Sequence, residues 1–298
     1  MSERKGNYTP HGTPPGPYTR EPVSDQHVAE SRQLILAAAE EAEAGRAAVL
    51  GAGHCAEIPL AELAARFKQV TVNDVDAAEL DKGLAAAHLD DAARAKLDVQ
   101  IADLTNTTEP LLEKIGAALK ATEDPEAAIE EMARLVDEQA VGGMPLEGKY
   151  ELIVASCVLS QLHFGLLHRA ADAFEQKFAG EIERLRQSVR WSAALYEMAR
   201  RMEKQFIDDL AAHLAPGGLI YLSDSTQMCY VKLTPAGMWE TEGTYRMLRS
   251  QYITDYLDRR FVTKASGRWH WLVSPPQHPG DVGRLFDVQA VVLRTWRT

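Results

Sequence analysis

Two glycines in one turn, a series of aspartates at the ends of apolar runs, and an imidazole close behind a thiol are the residues whose types and spacing could do chemistry. In Ala47-Ala48-Val49-Leu50-Gly51-Ala52-Gly53-His54-Cys55-Ala56 an apolar run meets a turn from which Gly51 and Gly53 remove side chains. A backbone bared in this way can approach a ligand closely at a strand-to-helix turn, so the stretch reads as a nucleotide-cofactor site.

The carboxylates extend that reading. Asp74, 21 residues after Gly53, ends the run Val70-Thr71-Val72-Asn73 and could accept hydrogen bonds from both hydroxyls of a ribose. Asp103 ends Val99-Gln100-Ile101-Ala102 and could accept a hydrogen from an adenine amino group. Ser156-Cys157-Val158 opens the loop after Tyr150-Glu151-Leu152-Ile153-Val154-Ala155, with His163 just beyond. An imidazole titrates near neutrality, which makes His163 the candidate general base, weighed against a role in capping or packing the next helix. Asp224, closing Leu219-Ile220-Tyr221-Leu222-Ser223, could orient a cationic or hydroxylated acceptor or cap the following turn. Cys157 reads as a buried loop thiol rather than a nucleophile.

Positioning these residues requires strands that alternate with helices. Asp25 can cap a helix from Gln26 to Ala44, which should pack beside the first strand. Helices follow over 57–67 and 77–89, each between two short strands, as in a parallel α/β sheet. Residues 105–148 and 164–212 are helical insertions. The first is broken in two at Glu123-Asp124-Pro125, and the second is one very long helix or a bent pair. Packed together near the sheet's carboxyl edge, they would cap the substrate. Thr241 to Phe261 has helical spacing, and Trp269–Val273 and Phe286–Leu293 read as strands. Trp239, Tyr245, Tyr252, Trp269 and Trp271 could line an aromatic pocket. Residues 1–24, rich in Pro and Gly with two tyrosines, are a flexible tail or a lid, leaving 25–298 as one domain.

The ordered set, with Pro216-Gly217-Gly218 leading into the fifth strand and Ser156-Cys157-Val158-Leu159-Ser160-Gln161-Leu162 ending the fourth, resembles the class I S-adenosylmethionine-dependent methyltransferases over roughly residues 45 to 226. The resemblance implies a Rossmann-like, mostly parallel seven-stranded sheet with an antiparallel last strand and helices on both faces. It implies S-adenosylmethionine held by Gly51, Ala52, Gly53, His54, Asp74, Val75, Asp103, Leu104, Ser156, Cys157 and Val158. Two positions depart from the family pattern. The acid usually found two residues before the first glycine is Val49, and the third glycine is Cys55. That acid often helps to hold the amino-acid end of the cofactor, a task that would fall to a water, His54 or an N-terminal residue. Neither Asn/Asp-Pro-Pro-Tyr/Phe nor Pro-Cys follows the fourth strand, which disfavours adenine, glutamine and cytosine C5 acceptors. Gly51-x-Gly53-x-x-Ala56 with Asp74 also suits an NAD-dependent Rossmann oxidoreductase, and the altered turn also fits a non-catalytic cofactor-binding or assembly protein.

Composition narrows the acceptor. A net charge of -11 over 298 residues disfavours nucleic acid, because phosphate binding relies on clustered Lys and Arg. Arg184-Arg186-Arg190 and Arg200-Arg201-Lys204 are such clusters, but they are interspersed with acids and read as solvated helix faces. A small-molecule methyl acceptor is the expected partner, methylated at nitrogen, oxygen or sulfur, and the long helices from Phe164 onward could form a homo-oligomer interface. Three cysteines without metal-ligand spacing suggest no metal, and the lack of a signal peptide or membrane span suggests a cytoplasmic protein.

Overall fold

A computed structural model of the chain describes residues 23–235, 239–247, 251–273 and 281–296. Its strands are β1 (Arg46–Leu50), β2 (Gln69–Asp74), β3 (Leu97–Ile101), β4 (Tyr150–Ser156), β5 (Leu214–Leu233), β6 (Trp239–Met247), β7 (Phe261–Val273) and β8 (Val282–Thr295). They form one sheet in the order β3-β2-β1-β4-β5-β8-β7, with β6 paired to β5 off this path. β1 to β5 pair in parallel, and β8 runs antiparallel to both β5 and β7. The strand order reverses between β1 and β4, which opens a crevice at their carboxyl ends.

β1 is the sheet's central strand and has no polar face. Ala47 and Val49 point into one core, Ala48 and Leu50 into the other, as in a strand covered on both sides. The first core packs under α1 (Val23–Glu41), α2 (Leu60–Arg66) and α3 (Ala77–Ala86), through Ile35, Leu63 and Leu80. The second lies under α10 (Gln251–Arg260) and the carboxyl half of α9 (Val189–His213), through Phe206, Leu210, Ile253 and Leu257. A third core lies among helices alone: α5 (Thr108–Ala121), α6 (Pro125–Glu138), α7 (Phe164–Lys177), α8 (Ile182–Gln187) and the first half of α9. A short α4 (Asp91–Arg94) precedes β3.

Several expectations hold at this level. The fold class is the Rossmann-like one with the antiparallel last strand in place, but the sheet has eight strands instead of the expected seven, because β6 adds to the free side of β5. The break at Asp124-Pro125 separates α5 from α6, with the Asp124 carboxylate accepting from Glu126 N and Pro125 at the first helical position. The two insertions pack on each other, α5 against α7 and α6 against α9.

Others are corrected. Thr241 to Phe261 is not one helix: Trp239–Met247 is β6, hydrogen-bonded to the far half of β5, and only Gln251–Arg260 is helical. The three-and-four spacing of aromatics there lost to pairing with an open strand edge. β4 ends opposite Ser223, so β5 beyond that point has a free side, which β6 takes up from Gln227 to Leu233. The stretch from Phe164 holds three helices. The chain leaves α7 through Gly180 at φ +83°, and the Ser188 hydroxyl caps α9. α1 lies mainly across β7, with further contacts to β5 and β4, rather than beside β1. The proline-rich segment before Val23 lies outside the described residues.

Candidate active site

The turn after β1 is built from three left-handed residues in alternation: Gly51 at φ +60°, Gly53 at +49° and Cys55 at +53°. Cys55 thus adopts the left-handed conformation that ordinarily favours glycine, with its thiol buried. A Cβ on Gly51 would lie 2.5 Å from Val158 Cγ2, so the missing side chain lets the β4 loop close onto the turn. A Cβ on Gly53 would meet nothing within 4 Å, so this residue faces open space. Behind the turn, α3 comes so near that a Cβ on Gly83 would sit 2.6 Å from the His54 carbonyl carbon.

Asp74 ties this turn to the end of β2. Its Oδ2 accepts from Gly53 N at 2.7 Å and its Oδ1 from Asp76 N at 2.8 Å. A carboxylate has about four lone-pair positions, so each oxygen retains one for a ligand hydroxyl. Beside it Val75 is 69 % exposed, an apolar side chain without cover. His54, by contrast, is turned outward and paired with Glu79.

Asp103 is placed differently. Oδ1 accepts from Thr105 N and Oγ1, and Oδ2 from Thr107 N and Thr108 N, so all four positions are used within its own loop. Burial works against its charge, but the hydrogen bonds from Thr105 and Thr108 prevail and hold the carboxyl below its usual range. It therefore fixes the start of α5. Leu104 is buried in the second core.

The loop after β4 meets the same crevice. Ser156 Oγ lies 3.2 Å from Ser223 Oγ, and Cys157, left-handed at φ +53°, donates its N–H to Ser223 O at 2.9 Å. Burial pushes both thiols up, Cys55 to about 12, which leaves neither as a thiolate nucleophile at neutral pH. Asp224 is fully buried and its Oδ1 accepts from Ser160 N at 3.2 Å and Ser160 Oγ at 2.7 Å, so it steadies the β4 loop. His163 sits at the start of α7 against the Phe164 ring, with Nδ1 buried and unbonded. Burial, then the nearby His168, lowers its pKa. Trp269 and Trp271 serve packing instead of a pocket: the Trp269 indole donates to His27 Nδ1 at 2.8 Å, and His27 stacks on Trp271. The side chains of Trp239, Tyr245 and Tyr252 lie outside the described residues.

Sequence reasoning missed Glu57. It is half-buried between the glycine turn and α2, and burial raises its pKa. A cavity of about 450 Å³ between α7, α8 and α9, lined by Leu167, His168, Asp172, Arg186 and Trp191, shares no residue with this crevice.

No family model and no curated protein matches the chain. Solved structures that resemble it include the N-methyltransferase NodS from Bradyrhizobium japonicum WM9, at 11 % identity and a TM-score of 0.45 over 93 % of this chain and 98 % of that one. The glycopeptide N-methyltransferase MtfA complexed with S-adenosylmethionine follows at 12 % and 0.41, over 88 % and 93 %. The precorrin-6y C5,15-methyltransferase from Geobacter metallireducens GS-15 gives 9 % and 0.39, over 90 % and 88 %. At these scores the resemblances add nothing to the strand order itself, in which antiparallel β8 lies between β5 and β7. The chain has a Rossmann-like α/β fold. Among the described residues no helix is long and apolar enough to cross a membrane.

Proposed function

We propose that this protein is an S-adenosylmethionine-dependent methyltransferase acting on a small-molecule acceptor through nitrogen, oxygen or sulfur. The observation that carries the reading is the meeting, at the strand-order reversal, of the Gly51–Gly53 turn, a carboxylate with lone pairs to spare at Asp74, and the loop from Ser156 to Val158. The open face of Gly53 and the uncovered Val75 side chain fit a nucleoside: Asp74 takes the ribose hydroxyls and Val75 one face of the base. Ala52 and His54 contribute backbone, Leu104 closes the adenine end, and Ser156, Cys157 and Val158 border the far end.

When bound, the cofactor supplies an electrophilic methyl group on a sulfonium sulfur. The chain's own part is to align an acceptor with that group and to exclude water. His163, whose pKa burial lowers, is our candidate to take a proton from a nucleophile that carries one. Asp224 acts as a positioning residue, since its Oδ1 is taken by the Ser160 N–H and hydroxyl. The helical insertions cap the acceptor side.

Electrostatics support a small acceptor. Within the two basic clusters Arg184 pairs with Glu181, Arg186 with Glu183, Arg190 with Asp137, Arg200 with Glu197 and Lys204 with Asp208. Charges neutralised in this way present no phosphate-binding stripe.

Calorimetric titration with S-adenosylmethionine and S-adenosylhomocysteine, with NAD as control, tests the reading. Micromolar binding of the sulfur compounds alone is the expected result, and binding of NAD alone would replace the proposal with an oxidoreductase. Asp74→Ala removes two charge-assisted hydrogen bonds of about 1.5–3 kcal/mol each, so affinity should fall at least a hundredfold with the fold retained. Unchanged affinity would remove Asp74 from the site.

A further inference from the structure

β3 is the terminal strand on one side of the sheet, and among the described residues no strand pairs with its outer edge. Its sequence, Leu97-Asp98-Val99-Gln100-Ile101, alternates apolar and polar residues, with Val99 45 % and Ile101 51 % exposed. Edge strands are ordinarily guarded by a charge, a proline or a bulge. Here the nearby charges are turned inward. Asp98 accepts from Thr71 Oγ1 on β2 at 3.2 Å and from Gln100 Nε2 at 2.9 Å, and Lys96 donates to Ala64 O of α2 at 2.7 Å.

The ladder to β2 fixes which backbone groups are left over. Lys96 O accepts from Val70 N, and Ala102 N donates to Asp74 O, both at 3.0 Å. In a parallel ladder the N–H and C=O of one residue point to the same side and those of the next to the other. The even-numbered residues of this stretch therefore bond β2, while Leu97, Val99 and Ile101 direct both groups outward.

These outward groups match a second copy of the same strand. With an antiparallel partner on a two-fold axis at Val99, Leu97 stands opposite Ile101 of the second copy and Val99 opposite its own counterpart, each pair exchanging two hydrogen bonds. The apolar side chains then meet on one face, and on the other the Asp98 carboxylate lies opposite the Gln100 amide, an acceptor facing a donor. An axis at Asp98 would set two carboxylates against each other and leave Ile101 outside the ladder, and an axis at Gln100 would leave out Leu97. We infer that β3 is the interface of a homodimer, in which two copies join their sheets edge to edge about Val99. Such pairing needs no ligand in the crevice and does not depend on the reaction the protein catalyses. A strand of five residues makes a small contact, so the dimer should be weak, with a dissociation constant on the order of 10 µM.

Sedimentation velocity of the full chain from roughly 1 to 200 µM should show the wild-type protein passing from monomer to dimer. Val99→Lys and Val99→Glu each set like charges against one another on the axis, and each should stay monomeric. Because the altered residue faces its own counterpart, an equimolar mixture of the two variants should recover the dimer, with an apparent affinity roughly tenfold or more above that of either alone. That recovery also shows that both variants fold. Val99→Pro removes an outward N–H and leaves the β2 ladder whole, so it should be monomeric as well, with the urea melt still cooperative. A wild-type monomer at every concentration would overturn the inference, as it would if a segment of this chain or of another protein held the edge. A dimer that survives all three variants would place the interface elsewhere, such as on the long helices from Phe164 onward. Monomeric variants that do not recover on mixing would overturn the axis at Val99.

Discussion

Gly83 stands in the middle of a helix, where glycine costs up to about 1 kcal/mol relative to alanine, and yet alanine should be worse here. Its added carbon would lie 2.6 Å from the His54 carbonyl carbon and 2.9 Å from Gly53 O, both backbone atoms of the glycine turn. Gly83→Ala must therefore push α3 away from that turn, lowering cofactor affinity and stability together. Titration and urea melts should both show it, and a gain in stability would mean that the close approach is not needed. This constraint was illegible in the sequence, because a glycine inside a helical pattern looks like a weak position, and what it avoids is 30 residues away. The two strand-ending aspartates teach a related lesson. Asp103 is followed by threonines at the second, fourth and fifth positions, whose N–H and hydroxyl groups fill its carboxylate, whereas Asp74 meets only Gly53 and Asp76. Strand-end position alone gave both the same promise; the neighbouring donors decide which keeps unfilled acceptor positions.

At the level of elements, α1 is held to β7 through a titratable group. His27 is 1 % exposed, accepts from Trp269 at 2.8 Å and stacks on Trp271, and burial lowers its pKa from 6.5 to about 4. Between those two values the unfolded chain binds a proton that the folded chain refuses, so stability is lost as the pH falls through this window. Urea melts should show about 2 kcal/mol less stability at pH 5 than at pH 7 from this residue, since each tenfold difference in proton affinity between the folded and unfolded chain is worth about 1.4 kcal/mol. His27→Gln, which keeps an acceptor for the indole, should lose correspondingly less. An equal loss in both proteins would assign the pH dependence to His163 and His270, which burial also lowers. The helix itself was legible from its apolar spacing. Its docking partner was not, because the tryptophans that receive His27 are more than 240 residues away in the chain.

Across the whole molecule, α9 joins two cores. Trp191, Met198 and Met202 belong to the helical bundle, and Phe206, Ile207 and Leu210 to the face of the sheet. One continuous apolar stripe therefore serves two partners. Sequence periodicity marks the stripe as core without showing where one core ends and the next begins. The division has an energetic consequence: α5, α6, α7 and α8 bury their apolar residues against one another and the first half of α9, with few contacts to the strands, and should open as one unit below the global unfolding free energy. Met132 on α6 is fully buried in that bundle, and Met132→Ala should remove about 2–5 kcal/mol of local stability. Hydrogen exchange in the variant should accelerate together across α5 to α8 and the first half of α9, while β1 to β5 and the second half of α9 keep their protection. Because Asp74 ends β2 and the Gly51–Gly53 turn follows β1, S-adenosylhomocysteine affinity should stay at the wild-type level under the same conditions. Uniform acceleration over sheet and bundle alike would instead make the molecule a single cooperative unit, with the sheet and the helical bundle rising and falling in stability together.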